Sequence, residues 1–326
     1  YEAITFLKHL NSIVAQRNPG AMMIAEESTA WPKVTGDVDD GGLGFTYKWN
    51  MGWMHDFLEY MKCDPIFRKY HQNQITFSFM YAYSENYVLV LSHDEVVHLK
   101  KSMIYKMPGT MPEKFGNLRA AYGLMMMHPG KKLLFMGQDF AQTAEWNEAK
   151  SLDWHLLEKY PEHQQLNHYY CDLLHFYQNE PALYELDDSP EGFAWINGSD
   201  AEHNMLTFCR MTKDKKNCLL CHFNFSPVAY ENFQSGVLCP GTYTEVFNSN
   251  AAEYGGTGLV NPEPIEAVKE SWDFKDYSIK YHLGAYGVCI FKFDYVEPKP
   301  EEPQKPARRY TKEDIHKLAG HYKKIK

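Results

Sequence analysis

Two carboxylates stand where an apolar run of the sequence gives way to polar residues. Glu26 follows the run 22–25, and Asp94 comes shortly after the run 87–91. Glycoside chemistry requires a carboxylic acid beside the leaving oxygen and a carboxylate that stabilises positive charge on the sugar. A carboxylate at a strand end can instead cap the next helix or pair with a base. Because the pattern occurs at two strand ends, we interpret Glu26 and Asp94 as a functional pair.

The elements that would position these carboxylates alternate between strands and helices. Apolar runs and helical periodicity predict strands at about 22–25, 44–49, 87–91 and 132–136, and helices at about 3–17, 52–62, 114–127 and 163–179. Such alternation predicts a parallel sheet. The carboxyl ends of the strands carry the chemistry in a (β/α)₈ barrel. Four strands are half of such a barrel, so the pattern leaves open a doubly wound sheet or a barrel whose first half is missing.

The sequence pattern changes after about residue 185. Short alternating runs separated by turn residues, at about 193–196, 205–209, 218–225, 243–247 and 287–293, predict an antiparallel β-sandwich over 186–296. Residues 297–326 begin with a proline-rich linker and continue into a basic tail, with eight Lys or Arg residues between 305 and 326. We expect this tail to be solvated, in preference to forming a partner-binding helix.

Composition excludes several classes of partner. The 326 residues carry a formal net charge of −9, which argues against binding to nucleic acid. No apolar run approaches the roughly 20 residues that a membrane helix needs, so we expect no membrane association. Seven scattered cysteines indicate reduced thiols in a cytoplasmic protein. The first residues lack an initiator Met and the features of a signal peptide, and we interpret the chain as starting inside a helix.

Three short motifs resemble metal sites but lack the required spacing. His93 and His98 are five residues apart, where a zincin helix needs four. Residues 37–41 lack the spacing of an EF-hand. Cys218 and Cys221 fall in a predicted strand, so their thiols should face opposite sides. We therefore expect neither a metal nor a cofactor.

Longer motifs resemble those of a known enzyme family. The segments IAEEST (24–29) and LSHDEVVH (91–98) are similar to the fifth- and seventh-strand motifs of bacterial glycogen branching enzymes, in the α-amylase superfamily. The resemblance continues through GGLGF (41–45), YKWN (47–50), GWMHD (52–56), GKKLLFMG (130–137), EWN (145–147), LDW (152–154), NFSPV (224–228) and YGGTG (254–258). It covers about residues 1–295 and fails only in the tail.

The resemblance implies a role for each candidate residue. Glu26 would be the general acid/base, and its neighbour Glu27 would not be the acid. Asp94 would hold sugar hydroxyls and stabilise the transition state, and His93 would donate to a hydroxyl of the same sugar. The implied reaction cleaves an α-1,4-glucan such as glycogen and transfers the chain to a 6-hydroxyl, with retention.

Aromatic residues near these motifs are candidates for substrate binding. Trp31, Tyr47 and Trp49 could lie near the sugar, and core packing is the alternative for each of them. Asp139 occupies a position where the family usually has Glu. We expect this difference to affect only the local geometry around the site.

One group that the resemblance requires is missing. A retaining mechanism needs a nucleophile, which this superfamily places as an Asp two residues after an Arg, and none of the arginines here has Asp at that spacing. We therefore expect the carboxyl-terminal half of a (β/α)₈ barrel over 1–185, with a missing amino-terminal half as partner and no activity alone. Two other functions stay open, a related α-amylase-type hydrolase and a non-catalytic α-glucan-binding fragment.

Overall fold

The computed structural model describes residues 1–297; apart from Glu297, the predicted linker and basic tail lie outside this part of the chain. The α-helices are α1 Glu2–Arg17, α2 Met51–Lys62, α3 Pro65–Arg68, α4 Asn73–Tyr81, α5 Met103–Lys106, α6 Met111–Met127, α7 His155–Lys159 and α8 Pro161–Asn179. The strands are β1 Ile24–Ala25, β2 Tyr47–Trp49, β3 Tyr87–Leu91, β4 Lys131–Leu134, β5 Phe193–Asn197, β6 Met205–Met211, β7 Cys218–Asn224, β8 Tyr230–Val237, β9 Thr242–Asn248, β10 Ile265–Glu266, β11 Tyr277–Leu283 and β12 Val288–Phe293.

The first four strands form a parallel sheet in the order β1-β2-β3-β4. The predicted alternation of strands with helices and the predicted parallel pairing are therefore confirmed. Strands β1 and β2 are shorter than predicted, with two and three residues, whereas β3 has the predicted bounds. The carboxyl ends of all four strands face one edge of the sheet, which is where parallel strands collect polar residues.

Burial differs strongly between the centre and the sides of this sheet. In the central strand β3, residues from Val88 to Leu91 are buried. At the edges, Ile24 of β1 keeps 46% of its surface exposed, and every residue of β4 is only half-buried. The apolar runs predict buried strands, which is wrong for β1 and β4 and only partly right for β2, where Tyr47 and Trp49 are half-buried. Within residues 1–297, β1 and β4 each pair with a strand on one side only.

The helices that follow the strands are set by local capping and packing. Asn50 accepts a hydrogen bond from the backbone N–H of Trp53 at 2.9 Å and so begins α2. Helix α6 is buried along nearly all of its length from Phe115 to Met127. It contacts α8 as well as strands β7 and β12, so it lies between the helical region and the β-region.

The strands after residue 190 form a six-stranded antiparallel sheet, β10-β9-β12-β7-β6-β5, and a two-stranded sheet, β11-β8. In the six-stranded sheet, strands β6 and β7 are buried on both faces. Cys221 packs in the core shared with the helices, whereas Cys218 packs in a second core against the two-stranded sheet. The prediction that these two thiols face opposite sides is confirmed, because strand side chains alternate.

The helical region and the β-region share one core. Residues Tyr1–Tyr295 form a single compact unit. The buried guanidinium of Arg68, in the helical region, donates to the carbonyl oxygen of Phe225 at 2.7 Å. The buried guanidinium of Arg210, in β6, donates to the carbonyl oxygen of Met127 at 2.7 Å. Packing is thus continuous across the boundary that the sequence predicts near residue 185.

Candidate active site

Glu26 directly follows β1, at the carboxyl edge of the parallel sheet. Its side chain is exposed, and within residues 1–297 it makes no hydrogen bond or ion pair. A general acid/base must come within hydrogen-bond reach of the substrate, and an exposed carboxyl at this edge is accessible to one.

Glu27, the adjacent carboxylate, is held in a different state. The ammonium of Lys48 lies 2.6 Å from its Oε2, and the backbone N–H of Thr29 donates to its Oε1 at 2.5 Å. Burial alone would raise the pKa of Glu27, but the hydrogen bonds from Lys48 and Thr29 outweigh it and lower that pKa. Glu27 is therefore kept ionised and is unsuited to donate a proton.

Lys48 fixes the loop that carries both glutamates. Its side chain is buried, and its ammonium also donates to the carbonyl oxygen of Thr29 at 3.0 Å. Thr29 in turn accepts through Oγ1 from the backbone N–H of Trp31 at 3.1 Å. The loop after β1 is thus tied to β2, and Glu26 is left as its free carboxylate.

Asp94 lies in a short 3₁₀ helix, His93–Val96, that follows β3. The backbone N–H of Asp94 donates to Ser92 Oγ at 3.3 Å, which turns the chain at the strand end. Nε2 of His93 lies 3.3 Å from Oδ1 of Asp94, and about half of each side chain is exposed. The sequence-predicted pair His93 and Asp94 is therefore in contact at the carboxyl edge.

Two aromatic side chains position His93. The rings of Phe135 and Trp146 lie 5.8 and 5.9 Å from the imidazole, and they pack edge-to-face on each other at 5.2 Å. The backbone N–H of Trp146 also donates to the carbonyl oxygen of Val96 at 2.9 Å. The segment after β4 thereby supports the loop that carries Asp94.

The three aromatic candidates do not lie together. Trp49 ends β2 and lines a cavity of about 200 Å³ with Glu27 and Lys48. Trp31 is 48% exposed in the loop after β1. Tyr47 begins β2 and lines a separate cavity of about 250 Å³ at the amino ends of the strands. Its placement at that edge does not support the role beside the substrate that we expected for it.

Asp139 follows β4 and is partly buried. It accepts a hydrogen bond from Nδ2 of Asn167, in α8, at 3.0 Å. Burial raises the pKa of Asp139 above its ordinary value despite this bond. The residue thus links the strand end to α8.

Sequence reasoning did not identify four residues that shape this edge: Lys48, Phe135, Glu145 and Trp146. All four occur in segments that the sequence analysis singled out, but their roles depend on partners distant in the chain. Glu145 is an example, because its carboxylate accepts from the backbone N–H groups of Leu99 and Lys101 at 3.0 and 2.7 Å. Among residues 1–297, no set of three His, Cys, Asp or Glu side chains is arranged to hold a metal ion.

A membrane-spanning helix was also sought. None of the helices in the described part of the chain is both long and apolar enough to cross a bilayer.

Two comparisons with known proteins concern one domain and the fold. Residues 195–294 match the family model described as "Alpha amylase, C-terminal all-beta domain". A crystal structure of an α-amylase from H. orenii superposes with a TM-score of 0.57 at 15% identity, covering 89% of this chain and 57% of that chain. At that identity the likeness concerns the fold alone.

Sequence relatives are much more similar. The chain is 49% identical over 298 residues to the 1,4-α-glucan branching enzyme of Butyrivibrio fibrisolvens, covering 91% of this chain and 46% of the relative. It is 50% identical over 291 residues to that of Halothermothrix orenii, covering 89% and 46%. The chain spans about half the length of these curated relatives. With such identity over most of its residues, it belongs to the family of 1,4-α-glucan branching enzymes.

Proposed function

We propose that this chain supplies the acid/base half of a branching enzyme that cleaves an α-1,4-glucan and rejoins it through an α-1,6 bond. The observation that carries the proposal is the identity of about one half to branching enzymes over about nine-tenths of the chain. The free carboxyl of Glu26 and the contacting pair His93 and Asp94, all following parallel strands, support it.

The proposed mechanism is a retaining double displacement. Glu26 protonates the oxygen of the departing chain while a carboxylate nucleophile attacks the anomeric carbon and forms a glycosyl ester. Glu26 then takes the proton of an acceptor 6-hydroxyl as that oxygen displaces the ester. Asp94 stabilises the positive charge that develops on the sugar, and His93 donates to one of its hydroxyls.

The nucleophile is proposed to come from strands that this chain does not contain. In the described residues, the outer edges of β1 and β4 have no partner strand, and Met22 and Ile24 beside one edge are 63% and 46% exposed. Unpaired apolar edges are sites where further strands add. We infer that residues 1–185 form half of a (β/α)₈ barrel, completed by an upstream half, and that 186–296 form its β-sandwich.

The test is to express residues 1–326 alone and together with the upstream half, with amylose as substrate. The combination should reduce the iodine colour of amylose while reducing ends stay nearly constant, because chains are transferred to sugar and not to water. Glu26→Gln should abolish this activity, since an amide cannot donate the proton, whereas Glu27→Gln should retain part of it.

Three outcomes contradict parts of the proposal. A rise in reducing ends parallel to the loss of iodine colour indicates an α-amylase-type hydrolase. Activity of residues 1–326 alone overturns the assignment of the nucleophile to the upstream half. Glucan binding without turnover in the combination indicates a non-catalytic glucan-binding protein.

A further inference from the structure

A cavity of about 390 Å³ lies beside the loop that follows the 3₁₀ helix of Asp94. Among the described residues, its lining contains four ammonium groups and one carboxylate, that of Glu95. The ammonium groups belong to Lys62, Lys100, Lys101 and Lys106. Four positive charges against one negative charge leave an excess of three, in a chain whose net charge is −9. The lining includes neither Glu26 nor the His93–Asp94 pair, so the cavity is separate from the candidate active site.

The carboxylates around the cavity compensate only part of this charge. Lys62 is paired at 2.8 Å with a glutamate of its own helix. The ammonium of Lys100 is 3.9 Å from Glu95, which is a long contact for an ion pair. Within residues 1–297, neither Lys101 nor Lys106 makes an ion pair with a carboxylate. The cavity therefore concentrates positive charge that the described part of the chain does not balance.

Lys106 is the lysine that most lacks partners. Its side chain is only 6% exposed, and its Nζ donates to the carbonyl oxygen of Lys100 at 2.5 Å. An ammonium has three N–H donors, so two of them have no acceptor among the described residues. Burial, together with the ammonium of Lys62, lowers the pKa of Lys106 to about 8. An anion in the cavity would supply both the missing acceptors and the missing negative charge.

The loop that carries two of the lysines is held in place by Glu145. The Glu145 carboxylate accepts from the backbone N–H groups of Leu99 and Lys101 at 3.0 and 2.7 Å. Both residues have positive φ, 67° and 69°, a conformation that persists only where surrounding contacts hold it. Because Glu145 binds the backbone and not an ammonium, it fixes the loop without neutralising the lysines. The cavity is thus preorganised for a ligand, which lowers the entropic cost of binding.

The lining groups define the chemistry of that ligand. Lysine binds phosphate as a point charge, and several ammonium groups can share the oxygens of one phosphate. None of the described lining residues is an arginine, the side chain whose planar fork suits a carboxylate. The volume falls within the roughly 300–1,000 Å³ of small-molecule sites, which leaves room for an organic group beside the ion. Tyr105 lines the cavity and is 44% exposed, so its ring is available to that group.

We propose that this cavity binds a phosphate monoester, with the phosphate held by the four lysines and the organic group against Tyr105. Glu95, which lines the cavity, directly follows Asp94 in the chain. The bound ligand therefore contacts the segment that carries a candidate catalytic residue.

The test is calorimetric titration of residues 1–326 at neutral pH, in a buffer free of phosphate, with glucose 6-phosphate, inorganic phosphate and glucose as separate ligands. Glucose 6-phosphate should bind, inorganic phosphate should bind more weakly, and glucose should not bind at this cavity. Lys62→Gln and Lys101→Gln should each weaken the binding of glucose 6-phosphate about tenfold, as loss of one hydrogen bond to a charged group does.

The matched control is Lys292→Gln. Lys292 has a side chain 40% exposed and paired with Glu180 at 2.9 Å, much as Lys62 is 42% exposed and paired with a glutamate, but it lies outside the cavity. This variant should bind glucose 6-phosphate as wild type does. Tyr105→Ala should reduce the affinity for glucose 6-phosphate to that for inorganic phosphate.

A second measurement locates the site without any substitution. Lysines of the wild-type chain are acetylated with an N-hydroxysuccinimide ester, with and without glucose 6-phosphate, and the products are mapped by mass spectrometry. The ligand should protect Lys62, Lys100 and Lys101 and leave Lys292 unprotected. This comparison keeps the proposal testable if a variant fails to fold, which thermal unfolding reveals.

Four outcomes count against the proposal. Absence of binding by both phosphate ligands, or of protection at Lys62, Lys100 and Lys101, overturns the site. An equal loss of affinity in Lys292→Gln shows general attraction of anions and also overturns it. Equal affinity for inorganic phosphate and glucose 6-phosphate overturns the choice of a monoester. Because no readout is branching activity or glucan binding, failure here is distinct from failure of the proposed function.

Discussion

Adjacent residues in one short loop have opposite electrostatic environments. Glu27 is paired with Lys48 and stays ionised, whereas Glu26 is exposed and makes no hydrogen bond or ion pair within residues 1–297. The distinction matters chemically, because a general acid must be able to carry a proton before it donates one. The assignment of the general acid/base to Glu26 stays a prediction, and the pairing of Glu27 with Lys48 argues against its neighbour.

Backbone strain is also stored in the loop next to the candidate site, where His98, Leu99 and Lys101 all have positive φ. Leu99 has φ of 67° and is 94% exposed, while its backbone N–H donates to Glu145. Leu99→Gly should stabilise the protein by about 0.5–1 kcal/mol, since removal of the left-handed penalty exceeds the added backbone entropy of glycine. Chemical denaturation measures the change.

The control for this variant is Leu174→Gly, in α8, where the residue is 37% exposed. Glycine inside a helix costs about 1 kcal/mol relative to good helix formers. The two identical substitutions should therefore change stability in opposite directions. A loss of stability in Leu99→Gly would show that its side chain makes a contribution larger than the strain.

At the scale of elements, helix α6 depends on its first turn. Oε2 of Glu113 accepts from the backbone N–H and from Oγ1 of Thr110, both at 2.7 Å. Glu113→Ala should cost about 0.5–2 kcal/mol, the usual range for a lost cap. Thermal unfolding at neutral pH measures this, with Glu162→Ala in the first turn of α8 as a control that should change stability little.

The cap should also be sensitive to acid. The backbone and side-chain hydrogen bonds from Thr110 hold the pKa of Glu113 below its ordinary value of 4.5. Because the folded-state pKa is the lower one, the stabilisation is present above pH 4.5 and is lost as the pH falls through the folded-state pKa. The difference between wild type and Glu113→Ala should shrink in acid. A difference independent of pH would contradict an ionic cap.

At the scale of the whole molecule, buried arginines join the helical and β-regions. Arg68 donates to the carbonyl oxygens of Phe225, Met61 and Cys63 at 2.7, 3.0 and 3.2 Å. Arg68→Met should lower stability by several kcal/mol, since each buried carbonyl left unpaired costs about 1–3 kcal/mol. Calorimetry should show one transition at lower temperature, and exposed Arg17→Met should unfold as wild type. An unchanged midpoint for Arg68→Met would contradict this joining role.

Buried neutral histidines should make the molecule sensitive to acid. Burial lowers the pKa of both His128 and His222 to about 3, below the ordinary value of 6.5. The unfolded chain then binds more protons between pH 6.5 and 3, so stability falls as the pH falls through that range. Urea denaturation from pH 7 to 4 measures the slope. His128→Gln should reduce it, whereas His175→Gln, at an exposed position, should leave it unchanged.

Local periodicity was enough to predict most elements and the edge that carries the candidate site. Alternation of apolar residues depends only on neighbours in the chain, so the parallel strands and the opposite orientation of Cys218 and Cys221 followed from the sequence. Strand β11 was missed although Tyr277, Ile279, Tyr281 and Leu283 alternate, and all but Tyr277 are buried. Strand β8 was missed because its residues are largely polar.

Other features depend on residues far apart in the chain, and only the tertiary structure decided them. Lys48 pairs with Glu27 although the two residues are about twenty positions apart in the sequence. Within residues 1–297, the neighbouring Glu26 makes no such pair. The placement of Tyr47 at the amino edge follows from where β2 begins to pair with β1. Among residues 1–297 the buried Nε2 of His222 has no hydrogen-bond partner, whereas its Nδ1 contacts Thr207 and Tyr281 from two other strands. Side-chain type is written in the sequence, but which polar atoms are satisfied is a property of long-range packing.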